Sequence, residues 1–193
     1  MIITISGNPG SGKSTVAKIL IKKLNAERIY VGGIRRDLAK EKGMTLEELN
    51  EYAKTHPETD VDVDVKAAEK ARMLEKQGKI VIVEGRTQFH FIPESIKIYV
   101  KVEPNVGAER IWKDLQIKEL AKQRNEGNIE SLEQLKASVT LREEQDAARY
   151  KKYYGIDNRN ESQFDLVVDS TVPSAEEVAE KIVEYINGQQ QNL

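Results

Sequence analysis

The residues with the clearest chemical purpose form a glycine-rich run close to the start of the chain. The run reads Gly7-Asn-Pro-Gly-Ser-Gly-Lys-Ser14 and fits the spacing G-x-x-x-x-G-K-[ST]. Glycines let successive backbone N–H groups turn toward one anion, and a lysine at this spacing adds a full positive charge. The serine hydroxyl that follows is a ligand for Mg²⁺. The run therefore predicts a site for a triphosphate tail with its metal ion. The predicted contact residues are Gly7, Asn8, Pro9, Gly10, Ser11, Gly12, Lys13, Ser14 and Thr15.

A plain connecting turn is the alternative interpretation of this run, with Lys13 as a solvated residue. A lysine in the first turn of a helix opposes the helix dipole, so a plain turn would not favour it. The flanking segments also favour phosphate binding. Residues 2–6 are β-branched and mostly apolar, which predicts a short buried strand. After Lys13, the apolar residues Val16, Leu20 and Leu24 follow the period of an amphipathic helix.

Charged residues follow two other predicted strands. Glu84 and Arg86 come after residues 80–83, the most apolar strand segment of the chain. Parallel sheets bind ligands at their carboxyl edge, so we predict that Glu84 orients water on Mg²⁺ or holds an acceptor. The alternative for both residues is an ordinary charged strand end. Arg35 and Arg36 follow the predicted second strand, and adjacent helical residues point about 100° apart, so only one is expected to face the site.

Two further charged segments permit more than one interpretation. Asp60, Asp62 and Asp64 alternate with valines, and we predict an acidic loop that leads into the first turn of a helix. Recognition of an acceptor's base is a hypothesis for these carboxylates. Arg142 and Arg149 lie on a charged predicted helix, where spacing alone favours surface salt bridges.

Strands alternate with helices along the rest of the chain. Further strands are predicted over residues 28–31, 96–100 and 164–168. Helices are predicted over residues 34–41, 45 to about 56, 61–77, 104 to about 124, 131–154 and 174 to about 186. Capping boxes mark two of the helix starts, at Thr45 and Ser174. The alternation predicts an α/β three-layer fold, with a parallel sheet between helices. We expect one domain over residues 1–188 and a disordered tail over residues 189–193.

The composition limits the classes of function that remain. The 193 residues carry a net charge of −2, so no broad basic face for nucleic acid is expected. The absence of cysteine excludes disulfides, cysteine-ligated zinc and thiol catalysis. No apolar run approaches the length of a membrane span, and the start of the chain has no basic leader. We expect a cytoplasmic monomer that acts on a small molecule, without a membrane or nucleic-acid partner.

Taken together, these segments resemble the P-loop nucleoside monophosphate kinases, and most closely the cytidylate kinases of the archaeal type. The likeness covers nearly the whole chain. Beyond residues 7–14 it rests on Gly33-Ile-Arg-Arg36-Asp-Leu-Ala39, Glu41 to Glu48, Pro57, Asp60 to Asp64, Glu84-Gly-Arg86, Arg142-Glu-Glu-Gln-Asp146-Ala-Ala-Arg149-Tyr150, Tyr154-Gly-Ile-Asp157 and Phe164 to Thr171.

The resemblance implies a P-loop NTPase fold with a five-stranded sheet in the order 2-3-1-4-5. It implies a monophosphate-binding insert over residues 33–65 and a lid over residues 115–150. The implied reaction transfers the γ-phosphoryl group of ATP to CMP or dCMP with Mg²⁺. The implied roles are catalysis for Lys13, Arg124, Arg142 and Arg149, acceptor binding for Arg36, Arg86, Asp60 and Asp64, adenine contact for Arg110, and metal binding for Ser14 and Glu84.

Two segments depart from the family pattern. Val31-Gly32 stands where bacterial relatives have Ser-Gly, and residues 87–91 read Thr-Gln-Phe-His-Phe. Phe89, His90 and Phe91 either stack on a base or pack beneath the lid, and we favour packing. A kinase with another small acceptor, such as a nucleoside or a sugar, is the alternative function. A non-catalytic ATP-binding regulatory module is the alternative from a different class.

Overall fold

The structure is a computed structural model, and it describes residues 1–125 and 128–190. The strands are β1 (Ile2–Ser6), β2 (Glu27–Tyr30), β3 (Val81–Glu84), β4 (Ile96–Lys101) and β5 (Leu166–Asp169). The helices are α1 (Lys13–Leu24), α2 (Val31–Glu41), α3 (Leu46–Tyr52), α4 (Glu58–Lys76), α5 (Gln88–Phe91), α6 (Pro104–Leu115), α7 (Lys118–Arg124), α8 (Leu132–Tyr154) and α9 (Ala175–Gln190).

The strands form one parallel sheet in the order β2-β3-β1-β4-β5, which confirms the predicted fold class. β1 lies at the centre, where Ile3 pairs with Ile82 on one side and with Ile96 on the other. Consecutive parallel strands require crossover connections, and the helices supply them. The carboxyl ends of β1, β3 and β4 therefore meet at one edge, next to the residues that follow each strand.

Side chains alternate between the two faces of the sheet and build a core on each. On one face, Ile3 and Ile5 of β1 contact Leu20 of α1 and Ile182 of α9. On the other face, Ile2 and its neighbours on β3 contact a run of alanines on α4, namely Ala67, Ala68 and Ala71. Small residues let α4 lie close to the sheet. The full burial of β1 on both faces explains why three of its five residues are isoleucine.

The second strand and helix begin earlier than predicted. β2 ends at Tyr30, and α2 starts at Val31 and includes Gly32 and Gly33, which the sequence analysis placed before the helix. The Tyr30 ring explains why position 33 of this helix is a glycine, because a Cβ atom at Gly33 would lie 2.5 Å from that ring. Tertiary packing here overrides the poor helix propensity of glycine.

The acidic segment is helical throughout, so the helix predicted over residues 61–77 forms, and only the loop expected ahead of it at Asp60 is wrong. α4 begins at Glu58 and contains all three aspartates, of which Asp60 and Asp64 are buried. Carboxylates in a first helical turn are stabilised by the helix dipole. Their burial has a further cause, since arginines and polar side chains from other elements contact them.

The C-terminal part differs from the prediction in helix bounds. The single helix predicted from residue 104 to about 124 is interrupted after Leu115 and continues as α7. Both capping positions that open α3 and α9 form as expected, at Thr45 and Ser174. α9 runs through Gln190, so residues 189 and 190 of the predicted tail are helical, and residues 191–193 lie outside the described part. No helix in the described ranges is long and apolar enough to cross a bilayer.

Candidate active site

A cavity of about 500 Å³ opens at the carboxyl edge of the sheet. The β1–α1 loop forms one end, and α2, α3, α4, α6, α7 and α8 contribute the remaining walls. The predicted site residues that line it are Pro9, Gly10, Gly12, Lys13, Ser14, Thr15, Arg36, Asp60, Asp64, Glu84, Arg86, Arg110, Arg124 and Arg142. Gly7, Asn8, Ser11 and Arg149 lie behind this lining and support it.

The glycine-rich loop is held by a close approach to α6. A Cβ atom at Gly10 would lie 2.2 Å from the carbonyl oxygen of Gly107, and one at Gly107 would lie 2.7 Å from the carbonyl oxygen of Pro9. Only glycine fits at either position. Asn8 adds a second attachment, since its side chain exchanges hydrogen bonds of 2.9 and 3.0 Å with the backbone of Val102. The Asn8 side chain therefore supports the loop, and the predicted contact of Asn8 with the nucleotide stays a prediction.

Lys13 occupies the centre of a cluster of cations. Its ammonium donates to the carbonyl oxygen of Asn8 at 3.3 Å. The pKa of Lys13 is lowered to about 7, chiefly by burial and next by the neighbouring charge of Arg86, while Glu84 acts in the opposite direction. Arg142 and Arg36 also act to lower this pKa. A region with this much positive charge favours an anion.

Glu84 is the last residue of β3 and is only 1% exposed, so the alternative of an exposed strand end is wrong. The Ser14 hydroxyl donates to its Oε1 atom. Arg28 of β2 donates to its Oε2 atom at 2.5 Å, and the Arg28 guanidinium lies over the Tyr30 ring. Sequence reasoning missed Arg28, whose only sequence signal is a charged residue on a short strand beside the predicted site.

Five charged side chains form a continuous chain of ion pairs along the cavity wall. Arg35 pairs with Asp60, and Asp60 accepts from Arg149 at 2.9 Å. Arg149 also donates to Asp146 at 2.6 Å, and Asp146 pairs with Arg86. We call these residues the ion-pair chain. It joins α2, α4, α8 and the end of β3, so it fixes the acidic and basic walls of the cavity relative to one another.

The ion-pair chain corrects two expectations. The salt bridges of α8 were expected at the surface, yet the Arg149 and Asp146 side chains are 3% and 6% exposed. Only one of Arg35 and Arg36 was expected to face the site, yet both line the cavity. Both arginines line the cavity because α2 begins close to it and because the Arg35 side chain bends toward α4, where it pairs with Asp60. Arg149 lies behind the cavity lining, and its predicted role over the triphosphate stays a prediction.

Direct hydrogen bonds join α2 and α3 to the end of α7. Arg36 donates from Nε to the carbonyl oxygen of Arg124 at 2.9 Å. The backbone N–H of Leu46 donates to the carbonyl oxygen of Asn125 at 3.1 Å, and the Asn125 side chain donates to Met44 at 3.2 Å. The predicted insert and the predicted lid are therefore in contact through their backbones.

Asp64 lies in a polar pocket beneath α8. It accepts hydrogen bonds from Thr87 at 2.9 Å, Gln88 at 2.8 Å and Tyr154 at 3.0 Å. Burial raises the pKa of Asp64, and these hydrogen bonds act to lower it. The carboxylate thus ties the segment after β3 to the end of α8.

Of the aromatic residues after β3, Phe89 is buried and Phe91 is half-buried, as favoured from the sequence, whereas His90 is exposed. Phe89 is 5% exposed and contacts Phe164 with ring centroids 4.7 Å apart, and Phe91 contacts Tyr154 at 5.0 Å. None of residues 89–91 lines the cavity. Phe89 and Phe91 therefore pack behind the cavity lining.

Arg110 projects from α6 to the loop after β5. It donates to the carbonyl oxygens of Ser170 at 2.8 Å and Thr171 at 3.3 Å. The Ser170 hydroxyl in turn donates to the backbone of Ser11 at 2.8 Å. Arg110 therefore links the mouth of the cavity to the glycine-rich loop.

The sheet order, the glycine-rich loop between β1 and α1, and the cations that surround Lys13 define a P-loop kinase. A family model described as an AAA domain matches residues 3–136. The cytidylate kinase of Archaeoglobus fulgidus is 39% identical over 187 residues, which is 96% of this chain and 94% of the relative. The cytidylate kinase of Methanocaldococcus jannaschii is 38% identical over 89% of each chain. This protein belongs to the cytidylate kinase family.

Solved structures agree with this fold. The shikimate kinase of Bacteroides thetaiotaomicron superimposes with a TM-score of 0.62 at 16% identity, over 97% of this chain and 98% of the other. An uncharacterized protein from Eubacterium ventriosum gives a TM-score of 0.66 at 15% identity, with coverage of 97% and 98%. At these identities the likeness concerns the fold alone.

Proposed function

We propose that this protein transfers the γ-phosphoryl group of ATP to CMP or dCMP. One observation carries the proposal: Lys13, Arg36, Arg86 and Arg142 converge on a single cavity beside a phosphate-binding loop. Like charges at this density are stabilised by a polyanion, and a loose phosphoryl-transfer transition state spreads negative charge over several oxygens. The relatives named cytidylate kinase favour a monophosphate acceptor over the nucleoside, sugar and regulatory alternatives.

The glycine-rich loop and Lys13 would hold the triphosphate of ATP. Backbone N–H groups of the loop and the first turn of α1 point toward the cavity and favour an anion there. Arg110 at the mouth is proposed to contact the adenine, and the lining arginines Arg124 and Arg142 to contact the phosphates. These positions leave the γ-phosphoryl group near Lys13, at the centre of the positive charge.

Ser14 and Glu84 fit a Mg²⁺ site that relies on the nucleotide for its remaining ligands. The Ser14 hydroxyl contacts Oε1 of Glu84 at the cavity floor, which brings together two oxygen atoms that can coordinate a metal ion. Among the described residues, no group of three or more acidic, histidine or cysteine side chains forms a cluster for a metal ion. Mg²⁺ in kinases commonly takes most of its ligands from phosphates and water, which agrees with this arrangement. When bound, Mg²⁺ withdraws charge from the phosphate oxygens.

The acceptor phosphate is proposed to bind between Arg36 and Arg86. One of its oxygens, already ionised at neutral pH, forms the new bond to the γ-phosphorus. The bond from that phosphorus to the bridging oxygen breaks, and ADP leaves with the electron pair. No general base is required, so the work of the protein is to position the two phosphates and to neutralise charge. Asp60 and Asp64 contribute to acceptor binding indirectly, because they hold neighbouring side chains in place.

The insert over residues 33–65 and the lid over residues 115–150 are proposed to close over both substrates. Closure excludes water, which would otherwise compete with the acceptor for the phosphoryl group. We propose that the protein acts as a cytoplasmic monomer, and light scattering coupled to size exclusion would test the oligomeric state.

A coupled assay for ADP tests the function directly. ATP with Mg²⁺ is offered with CMP, dCMP, UMP, AMP and GMP in turn, and with no acceptor as a blank. The expected result is turnover that depends on CMP or dCMP and exceeds the blank. Lys13→Met is the matched negative control, because it removes the central charge and keeps the length of the side chain. No acceptor-dependent turnover in the wild type would refute the proposal.

A further inference from the structure

Asn50 is a buried polar residue to which the sequence analysis gave no role. It lies on α3, is 3% exposed, and lines the cavity beside Arg35. The Arg35 guanidinium donates from Nη2 to Oδ1 of Asn50 at 3.0 Å. A guanidinium donates and never accepts, so this contact fixes the orientation of the amide. The amide nitrogen Nδ2 is then the atom that Asn50 offers to a ligand.

The N–H groups on Nδ2 of Asn50 are available to donate to a ligand. Within residues 1–125 and 128–190 this nitrogen has no hydrogen-bond partner, while the Oδ1 atom of Asn50 is taken by Arg35. Arg35 uses further donors on Asp60 and on the carbonyl oxygen of Thr59, and its side chain is 11% exposed. Five N–H donors are available on a guanidinium, so these three contacts do not use all the donors of Arg35.

The neighbouring carboxylates are already engaged by protein donors. Asp60 accepts from Arg35 on one oxygen and from Arg149 on the other. Asp64 accepts from Gln88 on Oδ1 and from Thr87 and Tyr154 on Oδ2. The wall around Asn50 therefore presents donors and few available acceptors.

This pattern of donors matches one pyrimidine edge. Cytosine carries two adjacent acceptors, O2 and N3, whereas uracil carries a hydrogen on N3 and would face the Asn50 amide with a donor. A site whose polar groups are left unpaired by the wrong ligand discriminates strongly against it. Resting on the proposed function, we propose that Asn50, oriented by Arg35, determines the preference for a cytosine base by donating to its O2–N3 edge.

Asn50→Asp tests the inference with almost no change in shape. The carboxylate still accepts from Arg35 but offers the ligand only an acceptor, which repels N3 of cytosine and suits N3–H of uracil. Loss of a buried hydrogen bond costs about 1–3 kcal/mol, so the ratio of kcat/KM for CMP to that for UMP should fall about 5- to 150-fold. Asn105→Asp, at an exposed position on α6, is the matched control and should leave the ratio unchanged.

A second measurement avoids the question of whether the variant folds. Wild-type protein is assayed with CMP and with 3-deaza-CMP, which has C–H in place of N3. The expected result is a KM for 3-deaza-CMP at least about 5-fold higher than for CMP, and an Asn50→Ala variant should lose most of that difference. Equal KM values in the wild type would overturn the inference.

The outcomes separate the inference from the function on which it rests. Wild-type protein without turnover on any monophosphate refutes the proposed function. Wild-type turnover on CMP, together with an unchanged CMP to UMP ratio in Asn50→Asp, refutes only the role of Asn50. Equal losses with CMP and UMP would indicate a structural role and would also refute it.

Discussion

The net charge of the ion-pair chain predicts how individual substitutions affect stability. Three arginines and two aspartates, all at most 20% exposed at the side chain, give the chain a net charge of +1. Asp60→Asn removes one negative charge and leaves three guanidiniums against a single carboxylate, so the net charge rises to +2. Arg149→Met removes one positive charge and leaves two arginines against two aspartates, so the net charge falls to zero.

Breaking a buried ion pair by removing one partner costs about 3–5 kcal/mol, because the other charge is left uncompensated. Asp60 lies between Arg35 and Arg149, so Asp60→Asn leaves both facing a neutral amide, and its cost should lie at the upper end. Arg149→Met leaves each aspartate with one arginine, and its cost should lie at the lower end. For a domain of this length these costs lower Tm by about 6–20 °C.

Differential scanning calorimetry of both variants and the wild type is the appropriate measurement, at one pH and without nucleotide. Arg159→Met is the control, since Arg159 pairs with Asp157 at the surface, with both side chains about half exposed. An exposed pair contributes at most about 1 kcal/mol, so this variant should melt within about 4 °C of the wild type. If Arg149→Met were more destabilising than Asp60→Asn, the charge argument would be wrong.

Two further predictions concern nucleotide binding. Because the pKa of Lys13 is about 7 and a triphosphate restores its charged form, ATP binding should take up about 0.9 proton at pH 8 and about half a proton at pH 7. Calorimetry in buffers of different ionisation enthalpy measures this uptake, and Lys13→Arg, which stays charged, should show none. Leu46→Pro keeps α3, since proline is tolerated at a first helical position, but removes the N–H that donates to Asn125. An ATP analogue is expected to tighten CMP binding, and the factor of tightening should be about 2- to 12-fold smaller in Leu46→Pro than in Leu46→Ala. An equal factor in both variants would contradict a direct link between the insert and the lid through this hydrogen bond.

The lowered pKa of Lys13 also determines how the stability of the protein without nucleotide changes with pH. Between about pH 7 and its ordinary value of 10.5, the folded protein without nucleotide binds fewer protons at Lys13 than the unfolded chain does. The contribution of this group to the free energy of unfolding therefore rises with pH across that window. Bound ATP removes the effect, because it returns the lysine to its charged form.

The sheet and the phosphate-binding loop were predictable because their signals are local. β1 is an apolar run buried on both faces, and the spacing of glycines and Lys13 follows from the geometry of wrapping a phosphate. The likeness to a known family supplied the strand order, which local patterns alone leave open. The positions of Glu84 and Arg86 followed from the general rule that parallel sheets bind ligands at their carboxyl edge.

The parts that sequence reasoning missed depend on contacts between distant segments. The burial of Asp60 follows from Arg149, which lies 89 positions away along the chain. Helical spacing gave no sign of that pairing and favoured a surface network instead. Asn50 and Arg28 carry no local motif, and their positions become meaningful only when α3 and β2 are placed against the cavity.

The contact between Gly10 and Gly107 extends the phosphate-binding site well beyond its sequence motif. A helix interior normally disfavours glycine, so the residue at position 107 weakens α6 by about 1 kcal/mol in order to let the loop approach. A mutational survey confined to residues 7–15 would therefore miss a position that shapes nucleotide affinity. Grafting the loop onto another scaffold would require the matching glycine on the neighbouring helix as well.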